Sequence, residues 1–262
     1  MPKNKSKKFA PDDLSLNPEE ALQLADQLKQ QFTKSNFDQI EQSKINMLIS
    51  GLGDKRGLIR RTFAESLGHI GKKALPGLLI ALRESDNVVV RRAAAKTIKL
   101  VGEASALPYL FEALMNDEDP VVKGSAAGAM AIFGEESIQY LLQVLANPTS
   151  SSMQCGLATW ALGFIGASAP EGIKKAAKSS NSLIRAAAIG ALEDIIKSSD
   201  DDETKDLLLE GLNDPISEVR LEATRLIVNI NDHELVEKLL QIKLNDKDIL
   251  VRKNAVFSLI KI

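Results

Sequence analysis

The sequence has few of the residues from which active sites and metal centres are usually built. Among its 262 residues there is one cysteine, one tryptophan and two histidines, and aromatic residues make up only 4%. A single cysteine excludes an internal disulfide. Two histidines are too few for most zinc or di-iron centres that depend on histidine ligands. Aliphatic side chains and alanine must therefore form the core of the fold.

A strong net charge and long apolar runs are also missing. The formal net charge is -2 at pH 7, which argues against a dedicated nucleic-acid binder. No uninterrupted apolar stretch reaches the roughly 18 residues that a membrane-spanning helix needs. The first residues, MPKNKSKKFAPDD, lack the apolar segment of a signal peptide. We expect a cytoplasmic protein with no membrane span and no nucleic-acid partner, and a lone cysteine agrees with a reducing compartment.

What the sequence does contain is a segment that recurs about every 32 residues. Each copy has an aliphatic residue, a basic residue, small residues and then an apolar pattern, as in GLIRRTFAESLGHIG and VVVRRAAAKTIKLVG. By subtraction the basic positions are 31, 32, 32, 30, 35 and 32 residues apart. In the fourth copy cysteine takes this position. The seven positions are Arg60, Arg91, Lys123, Cys155, Arg185, Arg220 and Arg252.

Each copy predicts two helices. The second helix begins near the basic position, because apolar residues such as Ala64, Leu67 and Ile70 then recur three and four apart. The first is a shorter apolar run, such as LPGLLIALRE, in which Pro76 fits the first helical turn. An aspartate precedes several of the basic positions by six residues. We expect it to accept hydrogen bonds from the next helix and to pair with the arginine of a neighbouring repeat. These residues are Asp54, Asp117, Asp214 and Asp246.

Helix pairs that cannot bury their apolar faces alone must stack on one another. We therefore predict an all-α fold, a right-handed α-solenoid of about seven short HEAT-like helix pairs with the second helices on the concave face. Residues 1–14 are predicted to be a disordered tail and residues 15–262 a single HEAT-like repeat domain. Within it, about 15–40 form an N-terminal helical cap and about 41–262 form the repeats. In the cap, Asn17 is predicted to cap a helix opened by Pro18.

The repeats resemble those of a known family. Copies such as DKRGLIRRTFAESLGHIG, DNVVVRRAAAKTIKLVG and DEDPVVKGSAAGAMAIFG follow the pattern D-x-x-x-x-V-[RK]-x-x-A-A-x-x-[LI]-x-x-[IV]-G. This pattern resembles the cyanobacterial phycobilin lyase E/F family over roughly residues 40 to 262. The resemblance implies kinship with bilin lyase subunits, with phycobilisome disassembly factors and with partners of iron–sulfur assembly proteins.

Trp160 is the first candidate binding residue. It lies five residues past the basic position, where the other copies have Glu65, Lys96, Gly128, Gly190, Arg225 and Phe257. A position that holds glutamate, lysine and arginine faces water, so the indole should be at least partly exposed. No charged residue occurs between Glu136 and Glu171. A tryptophan on an uncharged surface is typical of a binding hot spot.

Glycines at equivalent helical positions suggest either close approach by a partner or tight packing of adjacent helices. The candidates are Gly124, Gly128, Gly156 and Gly163.

A group of basic residues near the N-terminal end is either a solvated face or a binding site for carboxylates, such as those of an acidic partner or the propionates of a bilin. It comprises Arg61, Arg92, Lys96 and Lys99. Cys155 lies near a predicted helix start. It is either a small packing residue or a ligand contact.

Signatures of catalysis are largely absent. There is no phosphate-binding glycine-rich loop, and HEAT-like hydroxylases use several His-Glu pairs whereas this chain has only His233-Glu234. A HEAT-like glycosylase acting on nucleic acid would want more aromatic residues and a more basic face. No catalytic residue, metal ligand or obligatory cofactor is therefore assigned.

The leading hypothesis is a binding scaffold of the bilin-lyase-like family that holds a client protein in its concave face. The client would be a phycobiliprotein subunit or an iron–sulfur assembly protein. The alternative is an enzyme, a phycobilin lyase (C–S lyase) subunit. With a second lyase-type subunit it would attach a bilin, phycocyanobilin or a similar one, to a client cysteine. A further alternative is an accessory role in iron–sulfur cluster assembly.

Overall fold

The described part of the chain is helical and contains no β-strand. The computed structural model describes residues 17–32, 40–198, 201–230 and 232–260, so the tail predicted for residues 1–14 lies outside the described residues. The chain divides into two compact units, Met1–Phe133 and Gly134–Ile262. The single domain expected from the repeat stays a prediction.

The first unit opens with the helix that the sequence predicts as a cap. The Asn17 side chain accepts hydrogen bonds from the backbone N–H groups of Glu19 and Glu20 at 3.0 and 2.9 Å, and Glu20 accepts one from the Asn17 N–H, which makes a capping box. Pro76 lies in the first turn of its helix, as expected. The helices are α1 (Pro18–Phe32), α2 (Gln42–Ser50), α3 (Gly57–Ile70), α4 (Leu75–Glu84), α5 (Val88–Val101), α6 (Leu107–Asn116) and α7 (Pro120–Ile132).

The second unit continues the alternation of a first and a second helix, with one extra short helix, α12. Its helices are α8 (Glu135–Ala146), α9 (Ser152–Ile165), α10 (Pro170–Ala177), α11 (Ser182–Ala191), α12 (Glu193–Ser198), α13 (Asp202–Leu212), α14 (Ser217–Leu226), α15 (His233–Lys243) and α16 (Ile249–Leu259). Together the described residues of the two units contain the seven helix pairs that the repeat predicts, from α2–α3 to α15–α16.

The core is aliphatic, as the composition requires. Leu48, Leu78 and Leu110 are fully buried, and Phe63 is the large aromatic residue among the fully buried side chains of the described residues. Gly51 makes room for it, since a Cβ there would lie 2.2 Å from the Phe63 ring.

Pairs of arginine and aspartate, here called the arginine ladder, join some of the consecutive repeats within each unit. In the first unit Arg91 pairs with Asp117 at 2.9 Å; in the second, Arg185 pairs with Asp214 at 2.8 Å and Arg220 with Asp246 at 2.9 Å. Each arginine also donates Nη1 to the carbonyl oxygen six residues before it. The predicted pairing with a neighbouring repeat is confirmed for Asp117, Asp214 and Asp246, whereas Asp54 pairs with Arg56 of its own turn at 2.8 Å.

The capping role expected for these aspartates is wrong by two residues. Asp117 accepts from the N–H of Asp119, which lies in the turn before α7. Asp119 in turn accepts from Val121 and Val122 and so caps the helix itself. In this turn Asp117 therefore shapes the backbone and holds the arginine, while Asp119 satisfies free N–H groups of α7.

Candidate functional site

Helix α9 carries the cysteine and the tryptophan, and its start is set by a capping box. The Ser151 hydroxyl accepts from the Gln154 N–H at 3.3 Å, and the Gln154 side chain accepts from the Ser151 N–H at 2.7 Å. The helix therefore begins at Ser152 and runs to Ile165. This register places Gly156, Trp160 and Gly163 three and four residues apart, on one face of the helix.

That face lines a cleft of about 640 Å³ in the second unit. The cleft lies among the second helices α9, α11 and α14, with contributions from α8 and the short α12. Its lining has an apolar part and a charged part. The apolar part includes Cys155, Gly156, Trp160, Gly163, Phe164 and Leu183, and the charged part is Glu193, Asp194, Glu222 and Arg225.

Two aromatic rings dominate the apolar part. Trp160 is 54% exposed and Phe164 is 58% exposed, and their ring centroids lie 6.1 Å apart with a tilt of 33°. The exposure expected for Trp160 is confirmed, as is that of Glu65, Lys96 and Arg225 at the equivalent position in other repeats. The sequence interpretation missed Phe164, although a phenylalanine four residues after the tryptophan on a helix must share its face.

The glycines of α9 leave the surface beside Trp160 bare. A Cβ built at Gly156 or at Gly163 would meet no atom within 4 Å. Tight helix packing therefore does not require these two glycines, which favours the alternative of close approach by a ligand or partner. Gly124 and Gly128 lie on α7 in the first unit, where both are half-buried.

The charged part is centred on Arg225. Its Nη1 lies 2.9 Å from Glu193 and its Nε lies 3.1 Å from Glu222, while Lys197 pairs with Glu193 at 2.7 Å. Burial lowers the pKa of Arg225, but the bonds and charges of Glu193 and Glu222 outweigh it and hold that pKa above its ordinary value. Hydrogen bonds from Lys197 and Arg225 lower the pKa of Glu193. Both groups are therefore charged at neutral pH.

Asp194 differs from the other carboxylates of the cleft. It is exposed, and no ion pair involving it occurs among the described residues. Its Cβ lies 3.8 Å from the point where a Cβ on Gly166 would be, so Asp194 is beside the end of α9. The acids of the cleft were not found from the sequence.

Cys155 is half-buried and lines the cleft, at a position where the arginine ladder is interrupted. By the repeat, its partner position is Ser179, six residues before Arg185, so both the base and the acid of this ladder pair are replaced. Ser179 keeps the turn, because its hydroxyl accepts from the Asn181 N–H at 3.2 Å. Among the described residues of the second unit, no ion pair joins α8–α9 to α10–α11.

The basic group predicted from the sequence is partly neutralised. Arg61 pairs with Glu65 at 2.7 Å, and Arg92 pairs with Asp119 at 2.8 Å. Lys96 is exposed and Lys99 is half-buried, both on α5 in the first unit. An acidic partner would thus meet fewer available cations than the sequence indicated.

Two further features are absent from the described residues. None of the helices there has both the length and the apolar character needed to cross a bilayer. No group of three or more histidine, cysteine, aspartate or glutamate side chains in the described ranges could hold a metal ion.

Comparison with known proteins places this geometry in a family. The HEAT repeats family matches residues 75–163 and 169–260. Over 247 residues the chain is 49% identical to the bilin biosynthesis protein MpeU of Synechococcus sp. (strain WH8020), an alignment that covers 94% of this chain and 83% of MpeU. The chain belongs to the bilin-lyase-like HEAT-repeat family. The resemblance inferred from the repeats is thereby confirmed.

Two solved structures are similar to this HEAT-repeat protein at greater distance. One is the complex of CpcE and CpcF of phycocyanin lyase from Nostoc sp. PCC7120, with 18% identity and a TM-score of 0.34, covering 84% of this chain and 99% of that chain. The other is human deoxyhypusine hydroxylase in complex with glycerol, with 16% identity and a TM-score of 0.33, covering 95% of this chain and 92% of that chain. Both likenesses are too distant to bear on function.

Proposed function

We propose that this HEAT-repeat protein binds a bilin in the cleft of its second unit and presents it to a phycobiliprotein client. Its kinship with MpeU, a bilin biosynthesis protein, supports a bilin as the ligand. The structural observation that carries the proposal is the cleft itself. Its volume of about 640 Å³ falls within the range of roughly 300 to 1,000 Å³ typical of pockets for small molecules.

The shape and chemistry of the cleft suit a linear tetrapyrrole. Such a molecule is flat and conjugated, so it can stack on the exposed rings of Trp160 and Phe164. The bare surface at Gly156 and Gly163 lets a flat molecule approach the helix backbone closely. The charged part of the cleft offers polar groups that would fix its orientation.

The client supplies the group to which a bilin becomes attached. Addition of a cysteine thiol across a side-chain double bond of the bilin forms one C–S bond and moves the thiol proton to the neighbouring carbon, so no outside oxidant or reductant is needed. The role proposed for this chain is to hold and orient the bilin. The uncharged segment between Glu136 and Glu171 would be the surface that the client contacts, because it can be desolvated at little cost.

A direct test is titration of the protein with phycocyanobilin. Trp160 is the only tryptophan, so quenching of its fluorescence reports on the cleft alone, and the visible band of the bilin gives a second readout. Trp160→Ala should raise the Kd for the bilin, read from the visible band, by about tenfold or more. Phe257→Ala is the matched control: Phe257 holds the equivalent position of another repeat, is 64% exposed and does not line the cleft.

The titration also separates the binding alternatives. If no bilin changes either signal while an apo-phycobiliprotein subunit still binds, the chain is a client scaffold without a bilin site and the proposal fails.

The second candidate function is that of a lyase subunit, favoured by the same kinship with a bilin biosynthesis protein. It is tested by incubating the protein with bilin, apo-client and a second lyase-type subunit. A bilin–client adduct that survives denaturation and forms faster than without this chain supports it, and an unchanged rate contradicts it. The iron–sulfur alternative gains no support from these relatives and is not proposed.

A further inference from the structure

The charges that line the cleft are unbalanced. Three carboxylates, Glu193, Asp194 and Glu222, line it with one guanidinium, Arg225, and even with Lys197, which pairs with Glu193 from outside the lining, the acids outnumber the bases. That guanidinium is already bound by Glu193 at 2.9 Å and by Glu222 at 3.1 Å. A ligand carboxylate entering here would add a negative charge to a site that is already negative, and like-charge juxtaposition disfavours binding. The propionates of a bilin are therefore poorly matched to this part of the cleft.

Asp194 is instead suited to accept hydrogen bonds. An ionised carboxylate is an acceptor only and can receive several N–H groups at once. Among the described residues, the carboxylate of Asp194 takes part in no ion pair. Asp194 and Phe164 both line the cleft. A flat ligand stacked on Phe164 inside the cleft would therefore share it with this carboxylate.

A bilin has a row of pyrrole N–H groups along its inner edge, and the molecule becomes cationic when its imine nitrogen is protonated. Charge-assisted hydrogen bonds from such N–H groups to a carboxylate are stronger than neutral ones. A negative surrounding also stabilises the protonated form.

We infer that the cleft recognises the bilin by its pyrrole N–H edge, with Asp194 as the acceptor, and leaves the propionates outside. Asp194 is then a positioning and specificity residue of the ligand site. This inference rests on the proposed function, because it assigns the orientation of the ligand that the cleft is proposed to bind.

The test compares two ligands and four proteins. Phycocyanobilin and its dimethyl ester, in which the propionates carry no charge, are titrated into the wild type, Asp194→Asn, Asp194→Glu and the control Asp206→Asn. Asp206 is exposed on α13 and does not line the cleft. Thermal melts of all four proteins check that they are folded.

Three results are expected. The wild type and Asp206→Asn should bind both ligands with Kd values within about threefold of each other. Asp194→Asn should weaken both ligands by about tenfold and shift the bound visible absorption away from the protonated form, because it removes a charged acceptor. Asp194→Glu, which keeps a carboxylate, should retain part of the affinity and the protonated spectrum.

The contrary results are distinct from failure of the proposed function. If the free acid binds the wild type at least tenfold more tightly than the ester and Asp194→Asn leaves that affinity unchanged, the propionates are recognised and the inference is wrong. If neither ligand binds the wild type, the proposed function itself is wrong, and the inference falls with it.

Discussion

At the scale of single residues, the fourth repeat combines features that the other copies do not share. Its basic position is Cys155, and its exposed position is Trp160, where the other copies have a charged residue, glycine or phenylalanine. Both residues line the cleft. Because their neighbours in the core remain ordinary aliphatic residues, these changes alter the surface of the repeat without altering the way it folds.

The exposed indole leads to a prediction about the client. Trp160→Ala should weaken binding of the client subunit by roughly 2 kcal/mol, the size of a hot-spot truncation. Stability should change much less, because 54% of the side chain is already exposed. Calorimetric titration of the client and denaturant melts measure the two effects, with Phe257→Ala as the control. A variant that binds normally but melts far lower would show that the indole is packing.

Cys155 is expected to be dispensable for folding. Other repeats have an arginine at this position, so the site tolerates a longer side chain whose tip reaches water. Cys155→Ser should therefore cost at most about 1 kcal/mol of unfolding free energy in denaturant melts. Ala158→Ser, at a fully buried position of the same helix, should cost more because it buries a hydroxyl. A loss of several kcal/mol in Cys155→Ser would contradict the repeat alignment.

At the scale of helices, charged side chains join one repeat to the next. The first helices α10 and α13 are joined by Lys174, which lies 2.8 Å from Asp201 and 3.3 Å from Glu203. Asp201 also caps α13 through the Thr204 N–H. One aspartate therefore serves both the start of a helix and its attachment to a neighbour.

This cluster predicts a pH dependence. The hydrogen bond from Lys174, with help from Thr204, lowers the pKa of Asp201 from 3.8 to about 2. Because the folded-state pKa is the lower one, the contribution to stability is fully present above about pH 4 and is lost as the pH falls through about 2. Asp201→Asn keeps an amino acid that caps helices well but cannot ionise. Its unfolding free energy should therefore fall less steeply than that of the wild type between these pH values.

Urea melts at closely spaced pH values measure this slope. Asp206→Asn, on the same helix but outside the cluster, is the control and should follow the wild type. Identical slopes for Asp201→Asn and the wild type would mean that the Lys174 contact does not persist in solution.

At the scale of the whole molecule, the repeat determines how much the sequence could reveal. Because the seven copies can be aligned, comparison of equivalent positions predicted the helix pairs, the arginine ladder and the exposure of Trp160. Glu193 and Asp194 could not, because they lie on α12, which has no counterpart in the other repeats. The interval of 35 residues between Arg185 and Arg220 was the signal of that insertion.

The capping aspartates were misassigned for a different reason. Spacing gave the position of each aspartate relative to the arginine, but not which residue of the turn lies nearest the helix N-terminus. Asp119 and Asp248 cap their helices two residues after the predicted Asp117 and Asp246, while Arg56 and Ile216, two residues after Asp54 and Asp214, make no side-chain cap.

The ladder and its interruption lead to a prediction for the second unit. Stability in repeat proteins is close to a sum of repeat and nearest-neighbour terms, and the α8–α9 and α10–α11 pairs lack the ladder pair. Cys155→Arg with Ser179→Asp should supply it. In a double-mutant cycle measured by denaturant melts, the two changes should be coupled favourably by about 1–3 kcal/mol. Strict additivity would show that the two positions do not face each other.

The glycines at positions 156 and 163 affect the stability of helix α9. Each glycine inside a helix lowers stability by roughly 1 kcal/mol relative to alanine. A methyl group at either position would meet no neighbouring atom within 4 Å, so alanine would fit without strain. The chain therefore forgoes about 2 kcal/mol of helix stability at these two sites. Both glycines line the cleft, and lower stability is expected at a binding site that a ligand must approach closely.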